Sequence, residues 1–374
     1  MTRILWLPVF AAGIAWAATA WTEAFVQTDL FISGEGGYHT YRIPALILTR
    51  EGTVLAFCEG RRDGEGDSGQ IDLLLRRSVD GGATWGPSQV LSSAKGYTTG
   101  NPAPVVDRET GTILLLLTRN RAEDTEPMIL RGEAPPRTIW ITRSRDDGLT
   151  WEEPRDISAG TRREDWRWYA TGPCHGIQLA SGRLMIPCDH SRTPAFKDWH
   201  SHVIYSDDGG ATWQVGGIAD GFTNESTVVE LADGRLCLNM RNYRNTKRRA
   251  VAFSDDQGMT WSPVRDDDAL VGPRCQASII RYSTEAEHGK NRVLFSNPAS
   301  EKRENMTVRV SYDECQTWPV GRSLHAGPAA YSDLVILPDG TIGCLYERGN
   351  KHPYERITFA RFSLQWLTEN LDQP

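Results

Sequence analysis

The densest cluster of reactive side chains lies between Glu59 and Gly69, where the chain reads EGRRDGEGDSG. Counted from Asp63, a calcium loop of the EF-hand type would need glycine at its sixth position and an acid at its twelfth. Ser68 and Leu74 stand there instead, so the segment lacks the calcium pattern. A carboxylic acid on such a glycine-rich loop can be shielded when a ligand binds. Its pKa then rises into the range of a general acid.

Residues 66–69 of the same loop read GDSG, a match to the nucleophile motif of trypsin-like serine proteases. Such a protease also needs a histidine and an aspartate to activate the serine. The chain has no companion histidine motif with a suitable aspartate, and the repeat described below contradicts that fold. We therefore do not predict protease chemistry.

The cysteines give no metal-binding pattern. They lie mostly in apolar, strand-like runs, and no CxxC pair or His/Cys spacing typical of zinc occurs among Cys58, Cys174, Cys188, Cys237, Cys275, Cys315 and Cys344. Their number is odd, so at least one thiol is unpaired or intermolecular if disulfides form. We predict no metal site and no particular disulfide.

A repeated turn must position the reactive side chains. Ser78 to Trp85 reads S-x-D-x-G-x-T-W, and five copies occur, with their aspartates at Asp80, Asp146, Asp208, Asp256 and Asp313. The last copy carries Cys315 in place of glycine. Each copy follows an apolar run, which predicts strand, turn, strand. The Asp and Ser/Thr side chains satisfy backbone donors of the turn, glycine allows positive φ, and Trp packs beneath it. These aspartates are therefore structural.

The repeat also predicts the architecture. Successive copies are 66, 62, 48 and 57 residues apart, which suits a four-stranded unit with generous loops. The 35 glycines and 20 prolines are scattered along the chain and leave little room for long helices. We predict an all-β fold, a six-bladed β-propeller with five Asp-box turns, as a single domain over residues 21–374. The final ITFARFSLQWL predicts a closing strand and a short helical turn.

The first 20 residues have the pattern of a secretory signal peptide. Arg3 precedes an apolar run from Ile4 to Ala17, and Ala18-Thr19-Ala20 supplies an A-x-A cleavage site. This run is shorter than the roughly 20 apolar residues that a spanning helix needs, and no later segment is apolar enough to cross a bilayer. We predict an exported protein, secreted or periplasmic, or lysosomal in a eukaryotic cell. A net charge of -7 argues against nucleic acid as a partner.

The motif Tyr41-Arg42-Ile43-Pro44 ahead of five Asp boxes resembles the sialidases, the exo-acting glycoside hydrolases of sialic acid. Their signature is an [FY]RIP motif followed by Asp boxes, and the resemblance covers essentially the whole chain after residue 20. It implies a retaining exo-α-sialidase that needs no metal or organic cofactor. The implied partners are sialylated glycoproteins, glycolipids or oligosaccharides.

The resemblance implies that three arginines clamp the substrate carboxylate, namely Arg42, Arg241 and Arg303. A planar guanidinium suits this task because it donates two parallel charge-assisted hydrogen bonds. Three converging cations are costly without an anion between them, so such a triad predicts an anionic ligand.

The resemblance also implies an arginine and an acid shortly before the strand that ends in Arg76-Arg77. Counting back gives Arg62 as substrate-binding and Asp67 as the general acid, with Arg61 and Asp63 as the fallback. Glu225 matches the family's base. Tyr346 in the LYE motif matches its nucleophile, and Tyr331 ranks well below it. A neutral phenol avoids the repulsion that a carboxylate nucleophile would meet at a carboxylate-bearing anomeric carbon.

Two further positions are implied near the sugar. Asn101 matches a family position that often holds Asp or Asn, and Trp166, Trp168 and Tyr169 either line a pocket for the N-acetyl group or belong to the core. Several alternatives stay open. They are a trans-sialidase, an intramolecular-transfer enzyme, an enzyme that prefers a deaminated sialic acid, and a non-catalytic sialic-acid-binding propeller.

Overall fold

The computed structural model describes residues 24–374, and the predicted signal peptide at residues 1–20 lies outside the described residues. Within the described range the strands are β1 (Phe25–Ile32), β2 (Thr40–Leu48), β3 (Val54–Arg61), β4 (Ile71–Ser78), β5 (Gln89–Ser92), β6 (Tyr97–Val106), β7 (Ile113–Arg121), β8 (Thr138–Ser144), β9 (Arg155–Asp156), β10 (Trp168–Thr171), β11 (Ile177–Gln178), β12 (Leu184–Ser191), β13 (Trp199–Ser206), β14 (Gln214–Ile218), β15 (Thr223–Glu230), β16 (Leu236–Asn242), β17 (Arg248–Ser254), β18 (Arg265–Val271), β19 (Ser278–Ser283), β20 (Arg292–Pro298), β21 (Glu304–Ser311), β22 (Val320–Ile336), β23 (Ile342–Arg348) and β24 (Arg356–Phe362).

The helices are short, as the scattered glycine and proline predict. They are α1 (Glu126–Arg131), α2 (Ser158–Thr161), α3 (Glu285–His288) and α4 (Leu364–Leu367), with a 3₁₀ turn at Phe196–Asp198. Strand β24 followed by α4 confirms the closing strand and helical turn predicted for the end of the chain. Between residues 24 and 374 there is no helix with the length and apolar character needed to span a bilayer.

Neighbouring strands pair antiparallel in successive groups. The first two groups, β2–β5 and β6–β9, are joined into one sheet by a single parallel pair between Ile71 and Thr98. The third group, β10–β14, and the fourth, β15–β18, are separate sheets. The long strand β22 serves two groups, because residues 320–328 pair with β21 and residues 329–336 pair with β23. The last group is completed by β1, which pairs with β24 from Phe25 opposite Phe362. The N-terminal strand therefore closes a sheet made by the C-terminal end of the chain.

Consecutive groups of strands pack face to face. Strand β7 is apolar on both of its faces because each face is covered by a neighbouring group. Leu114 and Leu116 pack against Ile186 of the third group, whereas Leu115 and Leu117 pack against Phe57 of the first. Alternate residues of a strand point to opposite faces, so a strand covered on both faces reads as a continuous apolar run. The core is therefore a series of layers between sheets.

The Asp boxes adopt the predicted turn. In the first box, Asp80 accepts hydrogen bonds from Ser78 Oγ at 2.7 Å and from the Thr84 backbone N–H at 2.9 Å. Trp85 Nε1 donates to the Gly82 carbonyl at 3.2 Å and so holds the ring under the turn. In the last box Cys315 keeps the left-handed backbone, with φ at 65°, and donates its N–H to Ser311 Oγ. The structural role predicted for these aspartates is confirmed.

One buried carboxylate joins four groups of strands at the centre. Asp333 on β22 accepts hydrogen bonds from the Leu46 backbone N–H at 2.8 Å, from the His175 backbone N–H at 3.0 Å and from Ser278 Oγ at 2.8 Å. His175 Nδ1 lies 2.7 Å from the same carboxylate. The inner strands are thereby tied together beneath the place where their N-terminal ends meet.

Candidate active site

A polar pocket of about 250 Å³ lies where the N-terminal ends of the inner strands converge. Of the predicted site residues, Asp67, Asn101, Glu225 and Arg241 line it, whereas Arg42, Arg62, Arg303 and Tyr346 do not. A larger apolar cavity of about 720 Å³ lies at the opposite ends of the same strands, beside Leu48, Leu231 and Ile336. Because that cavity holds none of the predicted catalytic groups, the smaller polar pocket is the candidate active site.

Four inner strands place side chains in the pocket through the same kind of irregularity in strand pairing. Strand pairing is regular until a two-residue irregularity, which falls at residues 43–44 of β2, 101–102 of β6, 224–225 of β15 and 330–331 of β22. A bulge leaves residues out of the ladder and re-aims their side chains. In β2 and β6 a proline, which cannot donate to the ladder, occupies the irregular pair. Each irregularity contributes pocket-lining residues, among them Asn101, Glu225 and Tyr331.

The three predicted arginines converge on one tyrosine. Arg241 Nη1 donates to the Tyr331 hydroxyl at 3.1 Å. The guanidinium carbons of Arg42 and Arg303 lie 4.9 Å and 5.5 Å from the centre of the Tyr331 ring. The structure thus brings Arg42, Arg241 and Arg303 together, as the resemblance implied. It places Tyr331, the lower-ranked tyrosine, between them.

Neighbouring residues hold two of these arginines in place. Arg42 donates from Nε and Nη2 to Glu347 at 3.1 Å and 3.3 Å, and the Glu347 side chain is fully buried. Arg303 donates to the Tyr354 hydroxyl and to the Arg274 carbonyl, and the Arg42 guanidinium lies 3.9 Å above the Tyr354 ring. These contacts orient the guanidinium groups before any ligand binds.

Tyr331 and Glu225 form the closest polar contact of the pocket. The Tyr331 hydroxyl donates to Glu225 Oε1 at 2.5 Å, while Arg241 Nη1 donates to Glu225 Oε2 at 2.8 Å. Burial and the Glu225 charge raise the pKa of Tyr331 well above its usual value, although Arg241, Arg303 and Arg42 act in the opposite direction. The phenol is therefore neutral at physiological pH and has a carboxylate base within hydrogen-bond distance.

The prediction of Tyr346 as the nucleophile is wrong. Its side chain is buried in a core cluster with Leu334 and Ile342, and its hydroxyl accepts a hydrogen bond from Gln27 Nε2 at 2.8 Å. Glu347, the next residue of the LYE motif, lies on the opposite face of the strand from Tyr346. It is Glu347 that faces the site, where it accepts a hydrogen bond from Arg42. Tyr331 is the tyrosine that lies within hydrogen-bond distance of Glu225.

The prediction of Arg62 as a pocket residue is also wrong, and the fallback Arg61 takes its place. Arg62 is 43% exposed and pairs with Asp72 at 2.6 Å. Arg61 lines the pocket, 2.8 Å from Asp67 and paired with the buried Glu59 at 2.7 Å. Because neighbouring strand residues face opposite sides, a shift of one residue moves the guanidinium out of the site.

Asp67 lies in the pocket, as predicted, with its side chain 67% exposed. Its Oδ1 is 2.8 Å from Arg61 Nη1 and 3.7 Å from Arg42 Nη1. The surrounding protein raises the pKa of Asp67, but the charges of Arg61 and Arg42 outweigh this effect and hold the pKa below its ordinary value. An anion that neutralised Arg42 would release part of that restraint.

Asn101 lines the pocket with φ at 54° and accepts a hydrogen bond from Arg137 Nη1 at 2.9 Å. Of the three aromatic residues left open above, only Trp168 lines the pocket. Trp166 stacks on His190 with ring centres 3.5 Å apart, and it packs with Tyr169 in the core between two sheets. The structure therefore divides this aromatic cluster between pocket and core.

Sequence reasoning missed several polar groups of the pocket, namely Glu126, Arg137, Asp189 and Tyr243. Burial and the nearby Asp67 charge raise the pKa of Glu126 to about 7, and burial raises that of Asp189 well above its usual value. These are isolated residues without a motif. The one available signal was the charged loop between β7 and β8 that carries Glu126 and Arg137.

Among the described residues, one group has the donor atoms of a metal site. The ligand atoms of Cys174, His175 and Asp333 lie within 4.8 Å of one another. Asp333, however, already accepts hydrogen bonds from Leu46, His175 and Ser278. A metal would have to displace these contacts, so the group fits a hydrogen-bonded junction better than a metal centre.

Comparisons with known proteins agree with this geometry. A family model described as a BNR repeat-like domain matches residues 52–344. The sialidase of Micromonospora viridifaciens is 38% identical, over 92% of this chain and 54% of that protein. The exo-alpha-sialidase of Aspergillus fumigatus is 32% identical, over 88% of this chain and 86% of that protein.

A solved structure titled Hadza microbial sialidase Hz136 superposes with a TM-score of 0.81 at 30% identity, covering 91% of this chain and 69% of that one. The all-β arrangement of antiparallel sheets is therefore the fold of sialidase structures. On these matches, the chain belongs to the sialidase family, the exo-α-sialidases among the glycoside hydrolases.

Proposed function

We propose that this protein hydrolyses terminal α-linked sialic acids of glycoproteins, glycolipids or oligosaccharides with retention, through a covalent intermediate on Tyr331. The observation that carries the proposal is the 2.5 Å hydrogen bond from Tyr331 to Glu225 inside a ring of three arginines. A neutral phenol beside a carboxylate base and three cations suits attack on a carbon that bears a carboxylate.

Substrate binding begins at the arginines. Arg42, Arg241 and Arg303 surround the Tyr331 ring, so a carboxylate held by them brings the adjacent anomeric carbon to the Tyr331 hydroxyl. Holding the two reacting atoms together in this way turns a bimolecular step into an intramolecular one.

In the first step Tyr331 attacks the anomeric carbon and passes its proton to Glu225. The bond from that carbon to the leaving oxygen breaks, and Asp67 gives its proton to the leaving oxygen. The substrate carboxylate neutralises Arg42, 3.7 Å from Asp67, and this raises the pKa of the acid when it is needed.

In the second step a water molecule attacks the glycosylated carbon and Asp67 takes its proton. The bond to the Tyr331 oxygen breaks, and Glu225 returns the proton to the phenol. Two displacements at one carbon restore its original configuration, which defines retention.

For the architecture, we propose a six-bladed β-propeller forming a single domain over residues 21–374. The four sheets within residues 24–374 give six successive antiparallel groups when the eight-stranded and the seven-stranded sheet are each divided in two. Further support is the pairing of β1 with β24, which would close the ring. Radial repetition of this kind leaves only short, protected sheet edges.

We also propose export by the signal at residues 1–20, to the medium, the periplasm or a lysosome. The support is the pattern of Arg3, the apolar run from Ile4 to Ala17 and the A-x-A site. N-terminal sequencing of the secreted protein should begin at Trp21. Recovery of the intact Met1 terminus from the same fraction would contradict this proposal.

The reaction is tested by following hydrolysis of 4-methylumbelliferyl α-N-acetylneuraminide with proton NMR. We expect α-N-acetylneuraminic acid as the first product, before mutarotation. The β anomer as first product would contradict the covalent mechanism, and a 2,7-anhydro product would indicate intramolecular transfer. Binding of sialic acid without any turnover would leave a lectin.

A further inference from the structure

The glycine of an Asp box packs against the preceding group of strands. In the second, third and fourth boxes, the atom closest to a Cβ added at this glycine would belong to a large apolar side chain of that group. The pairs are Gly148 with Leu55, Gly210 with Leu114, and Gly258 with Met185. In each pair the long side chain fills the space that glycine leaves open.

These large residues occupy equivalent places in their strands. Each is the second residue of its strand and lies opposite the residue just before the serine of its own group's Asp box. The register pairs are Leu55 with Arg77, Leu114 with Arg143, and Met185 with Tyr205. In the fourth group the equivalent residue is Cys237, the second residue of β16, which lies opposite Phe253 just before Ser254. A cysteine therefore stands where the first three groups have leucine or methionine.

The glycine that would face Cys237 is also a cysteine, Cys315 of the fifth box. Its backbone N–H donates to Ser311 Oγ at 2.9 Å, as that of Gly148 does to Ser144 Oγ. Its φ of 65° lies in the left-handed region, which disfavours a residue that has a Cβ. Both partners of the packing pair are thus exchanged together, and the exchange at Cys315 introduces backbone strain.

The two thiols are neighbours. Cys237 and Cys315 belong to the same core cluster, and no other core cluster within residues 24–374 contains two cysteines. Both are buried and free in the structure. Hydrogen bonding to the Cys237 thiol, together with burial, raises the pKa of the Cys315 thiol well above its ordinary value. Two cysteines that contact each other from facing backbone segments have what a disulfide requires.

We infer that Cys237 and Cys315 form a disulfide in the exported protein, which joins the fourth group of strands to the next one, β19–β21 with residues 320–328 of β22. Disulfides form and persist in the oxidising compartments that exported proteins enter. The bond links two strands that hold arginines of the site, because Arg241 lies on β16 and Arg303 immediately precedes β21. The inference does not depend on the proposed activity.

The oxidant is a second disulfide, that of a thiol–disulfide oxidoreductase or of glutathione disulfide. Before folding buries the sulfurs, one cysteine thiolate attacks this disulfide and displaces one of its sulfurs as a thiol. The other cysteine thiolate attacks the resulting mixed disulfide, forms the protein S–S bond and releases the second thiol. The two protein thiols lose two electrons and two protons, and the oxidant disulfide gains them.

Peptide mapping tests the inference directly. The chain from Trp21 is fused to a host signal peptide and collected from the bacterial periplasm, so that export does not depend on residues 1–20. After denaturation and alkylation without reduction, trypsin releases Cys237 within residues 236–241 and Cys315 within residues 310–322, each without a second cysteine. We expect these two peptides joined by a disulfide and the other five of the seven cysteines alkylated. Recovery of both peptides alkylated and separate, or joined to other cysteine peptides, would overturn the inference.

The bond should also stabilise the protein. The same chain produced in the reducing cytoplasm should have all seven cysteines alkylated. It should melt about 4–8 °C lower than the periplasmic protein, because it lacks the constraint that a disulfide places on the unfolded chain. Equal melting temperatures of the two preparations would contradict a bond that joins two groups of strands.

The double variant Cys237→Leu with Cys315→Gly is the matched control, because it restores the combination of Leu55 and Gly148. It should give no linked peptide and the same melting temperature from both compartments. A difference between compartments as large as that of the parent would show that this pair is not its source, and would overturn the inference.

Discussion

Replacing Asp333 by asparagine removes the charge that joins the inner strands. Its two oxygens accept from His175 Nδ1 at 2.7 Å, from Ser278 Oγ, and from the backbone N–H groups of Leu46, His175 and Leu334. An amide NH₂ group can replace neither oxygen without facing at least one backbone N–H. That donor loses its acceptor in a site where Asp333 has no exposed surface.

The expected loss follows from these contacts. A buried donor left without an acceptor costs about 1–3 kcal/mol, and the lost charge-assisted bond to His175 costs roughly 1.5–3 kcal/mol. We expect Asp333→Asn to lower the free energy of unfolding by about 3–5 kcal/mol, in the range for breaking a buried ion pair. At roughly 2 °C per kcal/mol for a chain of this size, the melting temperature should fall by about 6–10 °C.

The loss should depend on pH. Burial lowers the pKa of His175, but the Asp333 carboxylate outweighs burial and raises it above its ordinary value. The pair's contribution is then complete below the unfolded-state pKa of about 6.5 and disappears as pH rises through the raised folded-state pKa. The difference in stability between parent and variant should therefore be larger near pH 6 than near pH 9.

Urea denaturation followed by tryptophan fluorescence measures both effects. Asp207→Asn is the control, because Asp207 is exposed where it pairs with Arg183 at 2.8 Å, and the substitution should cost less than about 1 kcal/mol. An Asp333→Asn variant as stable as this control, or a difference from the parent that grows with pH, would refute the reasoning.

Three further predictions concern the pocket and the turns. Tyr331→Phe should lower kcat at least about 100-fold in the umbelliferyl assay, whereas Tyr346→Phe, which alters a core contact to Gln27, should stay within about threefold of the parent. Arg61→Met removes the cation that lies 2.8 Å from Asp67, and the pKa of Asp67 should therefore rise. The alkaline limb of the pH profile of kcat/KM should then move to higher pH. Arg62→Met, whose arginine pairs with Asp72 instead, should leave this limb in place. Gly82→Ala should destabilise the protein by roughly 1–3 kcal/mol more than Gly234→Ala in thermal unfolding. Both glycines have positive φ, but only at Gly82 would a Cβ meet a neighbour, the ring of Phe359.

The fold was predictable where its determinants are local. The hydrogen bonds that the Asp-box aspartates accept within the turn join residues at most four apart, such as Asp80 and Thr84, so each box can be recognised without its surroundings. Four site residues could be predicted because each lies in or near a short motif, namely Arg42, Glu225, Arg241 and Arg303. Their convergence depends on strands far apart in sequence, which only the structure displays.

The two corrected residues show what sequence patterns do not contain. Tyr331 enters the pocket because residues 330–331 leave the ladder, whereas Tyr346 lies in regular pairing opposite Ser332. Arg61 and Arg62 differ by one residue and therefore by a whole face of the strand. Arg137 belongs to no motif, and its place in the pocket depends on the tertiary contacts to Asn101 and Trp168.

The central claim, that Tyr331 is the nucleophile, is tested most directly by trapping the intermediate. Fluorine next to the anomeric carbon slows breakdown of a glycosyl-enzyme, so 2,3-difluorosialic acid should leave a stable adduct that peptide mass spectrometry can locate. We predict the adduct on the Tyr331 oxygen, beside Glu225 and Arg241. An adduct on Tyr346 or on a carboxylate such as Asp67 would contradict the account.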